Sequence, residues 1–273
     1  MTRGALLEQI RAKRNYLCVG LDSDPGKVPQ FLQIFPDPVF EFNKRIIDAT
    51  LDQCVAYKIN TAFYEVSGAS GWATLQKTVD YIPDSHFKIA DAKRGDIGNT
   101  ATLYARTFFE TLSFDAVTVS PYMGEDSIRP FLDYSGKWTI LLGLTSNAGA
   151  ADFELMDTGQ GLVYESVLRK SSGWGTKENM MYVIGANRAD WFARIREIIP
   201  DHFFLVPGVG AQGGSLKEIS EHALNRDCGL LVNASRAIIY AGSGNDFADK
   251  ACNAAAGYAG EMALYLKKFS IIK

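Results

Sequence analysis

The stretch from residue 87 to residue 100 reads Phe87-Lys88-Ile89-Ala90-Asp91-Ala92-Lys93-Arg94-Gly95-Asp96-Ile97-Gly98-Asn99-Thr100. It begins as an apolar run that ends in a carboxylate, and it continues as Asp-x-Lys-x-x-Asp. Two anions and a cation therefore lie where a buried strand should give way to a helix. A protein seldom places charge there only for solubility, so the stretch predicts a strand whose end carries chemistry.

The order of apolar run and amphipathic segment recurs along the whole chain. Short apolar runs bounded by turn residues predict strands, and apolar residues at helical spacing predict the helices between them. The predicted strands are residues 16–21, 54–60, 87–91, 115–120, 138–144, 180–185, 203–206 and 229–233. The predicted helices are residues 5–13, 40–51, 72–81, 101–112, 127–134, 162–169, 189–198, 216–222 and 247–267.

Strands that alternate with helices in this way indicate an α/β protein with a parallel sheet. Runs that are hydrophobic throughout are typical of strands buried on both faces. A closed TIM (β/α)8 barrel fits the strand count and the length of 273 residues. No Gly/Ser/Pro-rich linker divides the chain, so we expect one catalytic domain over residues 1–273, with an open doubly wound sheet as the alternative.

Composition and charge exclude several classes of partner. The chain has 47% hydrophobic and 22% charged residues, and its formal net charge is −3. General nucleic-acid or membrane-surface binders usually carry a basic excess, so we expect neither partner. The four cysteines form no Cys-x-x-Cys or Cys/His cluster, and no apolar signal core or run of transmembrane length occurs. We therefore expect a cytoplasmic protein with reduced thiols.

Charged residues stand at the carboxyl ends of the first three predicted strands, where TIM barrels carry their catalytic groups. These residues are Asp22, Lys58, Asp91 and Lys93. Asp91 and Lys93 would project to the same side, roughly 7 Å apart along the strand. Carboxylates beside Lys93 favour its ammonium form, which suits proton donation or stabilisation of a carbanion better than nucleophilic attack. The alternative is a structural network of ion pairs that closes the top of the barrel.

Two strand-to-helix transitions near the C-terminus predict a phosphate site. The first is Pro207-Gly208-Val209-Gly210-Ala211-Gln212-Gly213-Gly214, and the second is Asn233-Ala234-Ser235-Arg236. Glycines let backbone N–H groups approach an anion, and arginine offers a permanently charged fork to phosphate oxygens. Glycine-rich turns alone are weak evidence, but Arg236 one strand later favours phosphate, which the last two loops of TIM barrels commonly hold. The long loop 145–161 is of a kind that often acts as a lid.

Together these segments closely resemble the orotidine 5′-monophosphate decarboxylase family, from about Tyr16 to the last helix. The resemblance rests on Asp22, Lys58, the run 91–100, Leu144-Thr145-Ser146-Asn147, the loop 207–214 and Asn233-Ala234-Ser235-Arg236. The Asp-x-Lys-x-x-Asp run also occurs in other decarboxylases of the superfamily. Its combination with Thr-Ser-Asn and the glycine–glutamine loop is specific to the orotidine 5′-monophosphate decarboxylase family. The segment around Phe42-Asn43 is similar to the longer bacterial branch of the family.

The resemblance implies a homodimeric TIM barrel that needs neither a metal nor an organic cofactor. It would convert orotidine 5′-monophosphate to uridine 5′-monophosphate (UMP) and carbon dioxide in pyrimidine synthesis. Lys93 would protonate C6 of the pyrimidine, with Asp91 beside the substrate carboxylate and Lys58 completing the charged row. Asp96 and Thr100 would reach into the neighbouring subunit's site, where Asp96 joins that row and both contact the ribose.

The resemblance also implies which residues bind the substrate. Asp22 would bind a ribose hydroxyl, and Ser146 would bind the amide edge of the pyrimidine. Gln212 and Arg236 would bind the phosphate. Many relatives have Gly immediately before the phosphate arginine, whereas this chain has Ser235, whose hydroxyl can itself donate to phosphate.

Two other functions fit parts of the pattern. A sugar-phosphate decarboxylase or aldolase-like relative would enolise its substrate with a bound magnesium ion, for which Glu65 is a conceivable ligand. A non-catalytic module that binds nucleotide phosphate would keep the barrel and the phosphate grip. The intact Asp91, Lys93 and Asp96 speak against that second alternative.

Overall fold

Apolar runs form the eight strands of the molecule, close to the positions that the sequence predicts. The computed structural model describes residues 1–186, 189–209 and 214–273. The strands are β1 (Leu17–Gly20), β2 (Ala56–Asn60), β3 (Phe87–Arg94), β4 (Ala116–Val119), β5 (Trp138–Leu144), β6 (Met180–Ile184), β7 (Phe203–Pro207) and β8 (Leu230–Ala234). Most of the strand residues are buried. This burial is expected, because helices cover the outside of such a barrel and side chains fill its interior.

The strands pair in chain order, and every pair is parallel. The barrel closes where Cys18 of β1 pairs with Asn233 of β8. This closed order confirms the TIM (β/α)8 barrel and excludes the open doubly wound sheet. Because the strands are parallel, their carboxyl ends share one rim, and the predicted charged residues therefore meet there.

Helices cover the outside of the barrel. Within the described residues they are α1 (Arg3–Lys13), α2 (Pro38–Thr50), α3 (Ala62–Glu65), α4 (Gly68–Tyr81), α5 (Gly98–Arg106), α6 (Glu125–Leu132), α7 (Val163–Ser171), α8 (Ala189–Ile198), α9 (Leu216–Ala223), α10 (Arg236–Ile239) and α11 (Phe247–Lys268). Short 3₁₀ turns occupy Pro25–Lys27, Gln30–Ile34, Leu51–Gln53 and Ala148–Asp152. In the part of the chain that the structure describes, no helix is long and apolar enough to cross a membrane.

Three helical features depart from the sequence prediction. The helices α3 and α10 are single turns, too short for hydrophobic periodicity to reveal. The predicted helix 101–112 is interrupted, because α5 ends at Arg106 and a π-helical turn, Thr107–Thr111, follows it. Two consecutive aromatic residues of that turn, Phe108 and Phe109, are both buried.

Two arginines, the buried Arg3 and the partly buried Arg196, lie at the amino-terminal end of the barrel, opposite the predicted site. Arg3 donates to backbone carbonyls and pairs with Asp227. Among the described residues, Arg196 donates to backbone carbonyls alone, and its guanidinium carbon lies 3.6 Å from the centre of the Phe204 ring. Neither ring nitrogen of the neighbouring His202 has a hydrogen-bond partner among the described residues. The positive charges of Arg196 and Arg3 thus lie near His202, which matters for the effect of acid on stability.

Candidate active site

Four charged residues meet at the carboxyl rim of β1, β2 and β3, and we call Asp22, Lys58, Asp91 and Lys93 the charged row. Lys58 Nζ lies 2.8 Å from Asp91 Oδ2 and 3.5 Å from Asp22 Oδ1. Lys93 Nζ lies 2.6 Å from Asp91 Oδ1. Asp91 therefore bridges two ammonium groups, as the order of the sequence motifs predicts.

Strand register brings the members of the row together. In the β2–β3 pair, Asn60 lies opposite Asp91, and in the β1–β2 pair, Gly20 lies opposite Lys58. Asp22 follows the end of β1, Lys58 lies near the end of β2, and Asp91 lies in β3 opposite that end, so their side chains point charge into the same space. The side chain of Lys93 is 51% exposed, whereas that of Lys58 is only 4% exposed. Of these two ammonium groups, that of Lys93 is the more accessible to a bound molecule.

Burial and charge oppose each other within the row. Burial alone would raise the pKa of the Asp91 carboxyl, but Lys58 and Lys93 outweigh it and hold that pKa well below its usual range. Burial would likewise lower the pKa of Lys58, but the Asp91 and Asp22 carboxylates raise it. Asp91 is therefore a carboxylate and Lys58 an ammonium at neutral pH, so the rim presents fixed charge.

Thr118 on β4 is a member of this site that the sequence did not reveal. Its hydroxyl oxygen accepts a hydrogen bond from the Lys93 backbone N–H at 2.9 Å and lies 3.2 Å from Asp91 Oδ1. Lys93 has a φ of +46°, in the left-handed region that residues with a side chain rarely adopt. The two halves of the Asp-x-Lys pair are thus linked through a third residue on the next strand.

A cavity of about 430 Å³ opens above the charged row toward β5, β6 and β7. Ser146 lines it, together with apolar side chains that include Leu142, Val183 and Leu205. Apolar walls with a few polar groups are typical of a site for a flat organic ring. Ser146, which is predicted to bind the pyrimidine, therefore lines the same cavity as Lys93.

Glu154, in the long loop 145–161, lines this cavity and is a second residue of the site that sequence reasoning missed. Its carboxylate accepts hydrogen bonds from the Thr145 backbone N–H at 2.7 Å and from the Thr145 hydroxyl at 2.8 Å. Hydrogen bonds to a carboxylate are stronger than those between neutral groups. Glu154 therefore fixes the turn from which Ser146 projects, and its position inside a loop without periodicity gave no sequence signal.

A smaller cavity of about 140 Å³ lies on the side of β7 and β8, where the phosphate site is predicted. Arg236 lines it, as do Asp22 and Gly208. The two cavities share Lys58, Asp91 and Pro207 in their walls, so they are neighbours across the charged row. The predicted phosphate residue Gln212 lies outside the described residues.

Ser235, which departs from the family pattern, is packed tightly against β1. Asn233 Nδ2 donates to the Ser235 hydroxyl oxygen at 3.1 Å, which leaves the hydroxyl hydrogen available for a ligand. A Cβ atom added to Gly20 would lie only 1.8 Å from Ser235 Oγ. The serine is therefore accommodated because position 20 carries no side chain.

Asp96 and Thr100 stand apart from the charged row of their own chain. Asp96 Oδ1 accepts from the Ile97 backbone N–H, and Thr100 is exposed at the start of α5. Neither residue is among those that line the two cavities described above. The described part of the chain thus assembles Asp22, Lys58, Asp91, Lys93, Ser146 and Arg236 at one rim and leaves these two outside it.

Glu65, the conceivable magnesium ligand, is engaged elsewhere. Its carboxylate forms an ion pair with Arg94, whose guanidinium also stacks near the rings of Tyr104 and Phe108. No group of three or more Asp, Glu, His or Cys side chains able to hold a metal ion occurs in the described ranges 1–186, 189–209 and 214–273. The geometry thus offers no support for Glu65 as a metal ligand beside the charged row.

Comparison with known proteins agrees with this arrangement. A sequence model of the orotidine 5′-phosphate decarboxylase / HUMPS family matches residues 15–251. The orotidine 5′-phosphate decarboxylase of Bacteroides fragilis is 54% identical over 271 residues, which cover 98% of this chain and 99% of that protein. That of Phocaeicola vulgatus is 57% identical over 252 residues, which cover 91% of this chain and 93% of that protein.

A solved structure shows the same likeness in three dimensions. The Leishmania donovani OMP decarboxylase superposes with a TM-score of 0.81 at 37% identity, covering 95% of this chain and 99% of that one. The fold, the charged residues at the rim and the near-full-length relatives all support one family assignment. The chain belongs to the orotidine 5′-phosphate decarboxylase / HUMPS family.

Proposed function

We propose that this protein converts orotidine 5′-monophosphate to UMP and carbon dioxide, and that Lys93 donates the proton to C6 of the pyrimidine. Family membership and near-full-length relatives named orotidine 5′-phosphate decarboxylase support the overall reaction, that of a carboxy-lyase in pyrimidine synthesis. The observation that carries the residue roles is the ion-paired set of Lys58, Asp91 and Lys93, of which Lys93 is the most exposed.

Fixed positive charge is what this reaction requires. Loss of carbon dioxide from C6 leaves an electron pair in the plane of the ring, with no adjacent carbonyl to accept it. A preorganised ammonium stabilises that charge without reorganising solvent. Lys93 then transfers a proton, so that its N–H bond breaks as the C6–H bond of UMP forms. Asp91, 2.6 Å from the Lys93 nitrogen, orients the donor.

Asp91 has a second role in this proposal. Its carboxylate would lie beside the carboxylate of the substrate, and the repulsion between them would be relieved as carbon dioxide departs. This role requires that Asp91 stays ionised. The ammonium groups of Lys58 and Lys93 support it, because they hold the pKa of Asp91 well below neutrality in spite of burial.

The two neighbouring cavities suit the two ends of a nucleotide. We assign the base to the larger cavity, where Ser146 would bind the amide edge of the pyrimidine, and the phosphate to the smaller one, where Arg236 would bind it. Asp22 lines the smaller cavity and would bind a ribose hydroxyl. Gln212 would add a further phosphate contact. Binding energy from the remote phosphate could then contribute to the chemical step through loop closure.

We further propose a homodimer whose sites are shared, with Asp96 and Thr100 serving the neighbouring subunit. Both residues lie outside the cavities of their own chain, and exposed apolar side chains occur in the same segment and in the segments that follow β2 and β4. Those side chains are Val66, Ile97, Leu103, Tyr122 and Met123. An exposed apolar patch rimmed by polar groups is typical of a protein interface.

Several simpler expectations belong to the same proposal. The chain would act as one domain over residues 1–273, without a metal or an organic cofactor, and with no nucleic-acid or membrane partner. The thiols of Cys18, Cys54 and Cys228 are free and buried, which agrees with a reducing, cytoplasmic location.

The deciding experiment follows the loss of orotidine 5′-monophosphate absorbance with the purified protein, with and without EDTA. We expect equal turnover in both, whereas inhibition by EDTA would favour a metal-assisted reaction. Lys93→Ala should abolish turnover while largely preserving UMP binding, because the phosphate and ribose contacts remain. A wild-type protein without turnover would overturn the assigned reaction, and a Lys93→Ala protein with near-normal turnover would overturn the assigned proton donor.

Shared sites can be tested separately by mixing two inactive variants. Lys93→Ala and Asp96→Ala proteins are each expected to be inactive alone. If each site draws on both chains, a mixed dimer contains one site in which both residues are intact, so exchange of subunits should restore up to about a quarter of the wild-type activity. Exchange that is demonstrated by native mass spectrometry but restores no activity would argue against shared sites.

A further inference from the structure

Thr118 lies on β4, one strand beyond the Asp-x-Lys motif, and its side chain reaches across to the end of β3. The residue is fully buried. Its hydroxyl oxygen is 2.9 Å from the Lys93 backbone nitrogen and 3.2 Å from Asp91 Oδ1. A third contact, to the Ala90 carbonyl oxygen, is longer at 3.5 Å. One hydroxyl group thus contacts both residues of the Asp-x-Lys pair, Asp91 and Lys93.

The chemistry of a hydroxyl group sets the direction of these bonds. It has one hydrogen to donate and lone pairs with which to accept. The Lys93 N–H can only donate, so Thr118 Oγ1 accepts from it. An ionised carboxylate can only accept, so the single hydroxyl hydrogen points to Asp91 Oδ1, the nearer and charged of its two possible acceptors.

The backbone of β3 explains why Lys93 needs a side-chain acceptor. Pairing between β3 and β4 is regular at Ala90, shifts register, and resumes at Arg94. Within the shift, Lys93 takes a φ of +46° and its N–H turns to the Thr118 hydroxyl. A left-handed conformation is unfavourable at a residue with a side chain, and it persists only where neighbouring contacts hold it.

We infer that Thr118 is a positioning residue, whose hydroxyl holds the Lys93 backbone in its left-handed turn and the Asp91 carboxylate in line with the Lys93 ammonium. This inference deepens the proposed function, on which it rests in naming Lys93 as the proton donor. Thr118 lines neither cavity and would not touch the substrate. Its loss should therefore affect the chemical step more than it affects binding.

Thr118→Val tests the inference, because valine keeps the shape and β propensity of threonine and removes only the hydroxyl. We expect kcat to fall about 10- to 100-fold, the loss that a displacement of roughly 1 Å in a reacting group can cause, with KM changed less than about 3-fold. If the valine variant does not fold, Thr118→Ala removes the same hydroxyl without adding volume and is measured instead.

The chain offers a matched control on the next strand. Thr139 of β5 pairs directly with Val117, is equally buried, and its hydroxyl has no hydrogen-bond partner among the described residues. Thr139→Val makes the same chemical change beside the same strand and should keep wild-type kcat. An equal loss of kcat in both variants would show that any buried substitution there disturbs the barrel, and it would overturn the inference.

Thr118→Ser supplies the rescue, because serine keeps the hydroxyl and loses only a methyl group. It should recover most of wild-type kcat, and a serine variant as slow as the valine variant would exclude the hydroxyl as the cause. A readout that needs no substrate is hydrogen exchange at the Lys93 amide. It should quicken at least about 10-fold in Thr118→Val and stay unchanged in Thr139→Val. Unchanged exchange in Thr118→Val would overturn the inference whether or not the wild type turns over orotidine 5′-monophosphate.

Discussion

At the scale of single residues, the site depends on one carboxylate placed between two ammonium groups. Lys58 is 4% exposed, so its charge is tolerable only because Asp91 and Asp22 compensate for lost hydration. Asp91 is likewise buried and depends on Lys58 for its countercharge. Asp91 raises the pKa of Lys58 and Lys58 lowers the pKa of Asp91, so each favours the charged form of the other. The active site and the stability of the rim therefore depend on the same pair.

Asp91→Asn should be costly for folding as well as for catalysis. The amide is nearly the same size but leaves the buried Lys58 ammonium without its nearest countercharge. Removal of one partner of a buried ion pair typically costs 3–5 kcal/mol, so we expect the free energy of unfolding to fall by about 3 kcal/mol in urea denaturation. The exposed Asp133, at the end of α6, provides the control, since Asp133→Asn should change that free energy by less than about 0.5 kcal/mol. Equal, small effects of both substitutions would contradict this account.

The sequence could predict the charged row but not all of the residues that hold it. Asp91 and Lys93 are visible because charge after an apolar run is unusual. Thr118 is not, because threonine is common in strands and its contact with Lys93 spans 25 positions of the chain. Hydrogen bonds between strands depend on register, and the register shift between β3 and β4 has no signature in the sequence.

At the scale of elements, the loop 145–161 carries the contacts that orient Ser146. The loop contains a 3₁₀ turn, Ala148–Asp152, and it folds back so that Glu154 meets Thr145. Strands were predictable because burial on both faces demands continuous apolar runs. The loop was not, because a carboxylate that accepts from a residue nine positions away leaves no periodic pattern.

Glu154→Ala should weaken recognition of the base without affecting the phosphate end. Loss of the two hydrogen bonds frees the turn at Thr145, and we expect UMP affinity to fall about 5- to 20-fold in calorimetry. Ribose 5-phosphate, which lacks the base, should bind both proteins equally. Asp152→Ala, an exposed change in the same loop, should leave both affinities intact. Equal weakening for the two ligands would show a general disturbance of the rim instead.

At the scale of the whole molecule, both ends of the barrel hold positively charged side chains, but in different surroundings. The carboxyl rim pairs its ammonium groups with carboxylates. At the opposite end, Arg196 donates to backbone carbonyls beside His202, whose ring nitrogens have no hydrogen-bond partner within residues 1–186, 189–209 and 214–273. Burial and the positive charges of Arg196 and Arg3 lower the pKa of His202 to about 4. His202 is therefore neutral in the folded protein at pH values at which it is protonated in the unfolded chain.

Acid should destabilise the protein through this histidine. The unfolded chain binds the proton near pH 6.5 and the folded protein only near pH 4, so this contribution to stability is complete above pH 6.5 and declines as pH falls toward 4. Between pH 7.5 and pH 5, the wild type should lose about 1–2 kcal/mol more unfolding free energy than His202→Phe. The exposed His222 supplies the control, and His222→Phe should follow the wild type. Parallel curves for wild type and His202→Phe would refute this explanation.

The contact between Gly20 and Ser235 restricts the order in which the two ends of the chain could be redesigned. An alanine at position 20 would collide with Ser235 Oγ, so the first and eighth strands cannot be altered independently at this level. An engineer who wished to graft a different phosphate loop onto this barrel would have to shrink residue 235 first and enlarge residue 20 second. Enlarging residue 20 first would produce an overpacked variant. Single substitutions at either position are therefore a poor guide to which pairs of residues positions 20 and 235 can hold together.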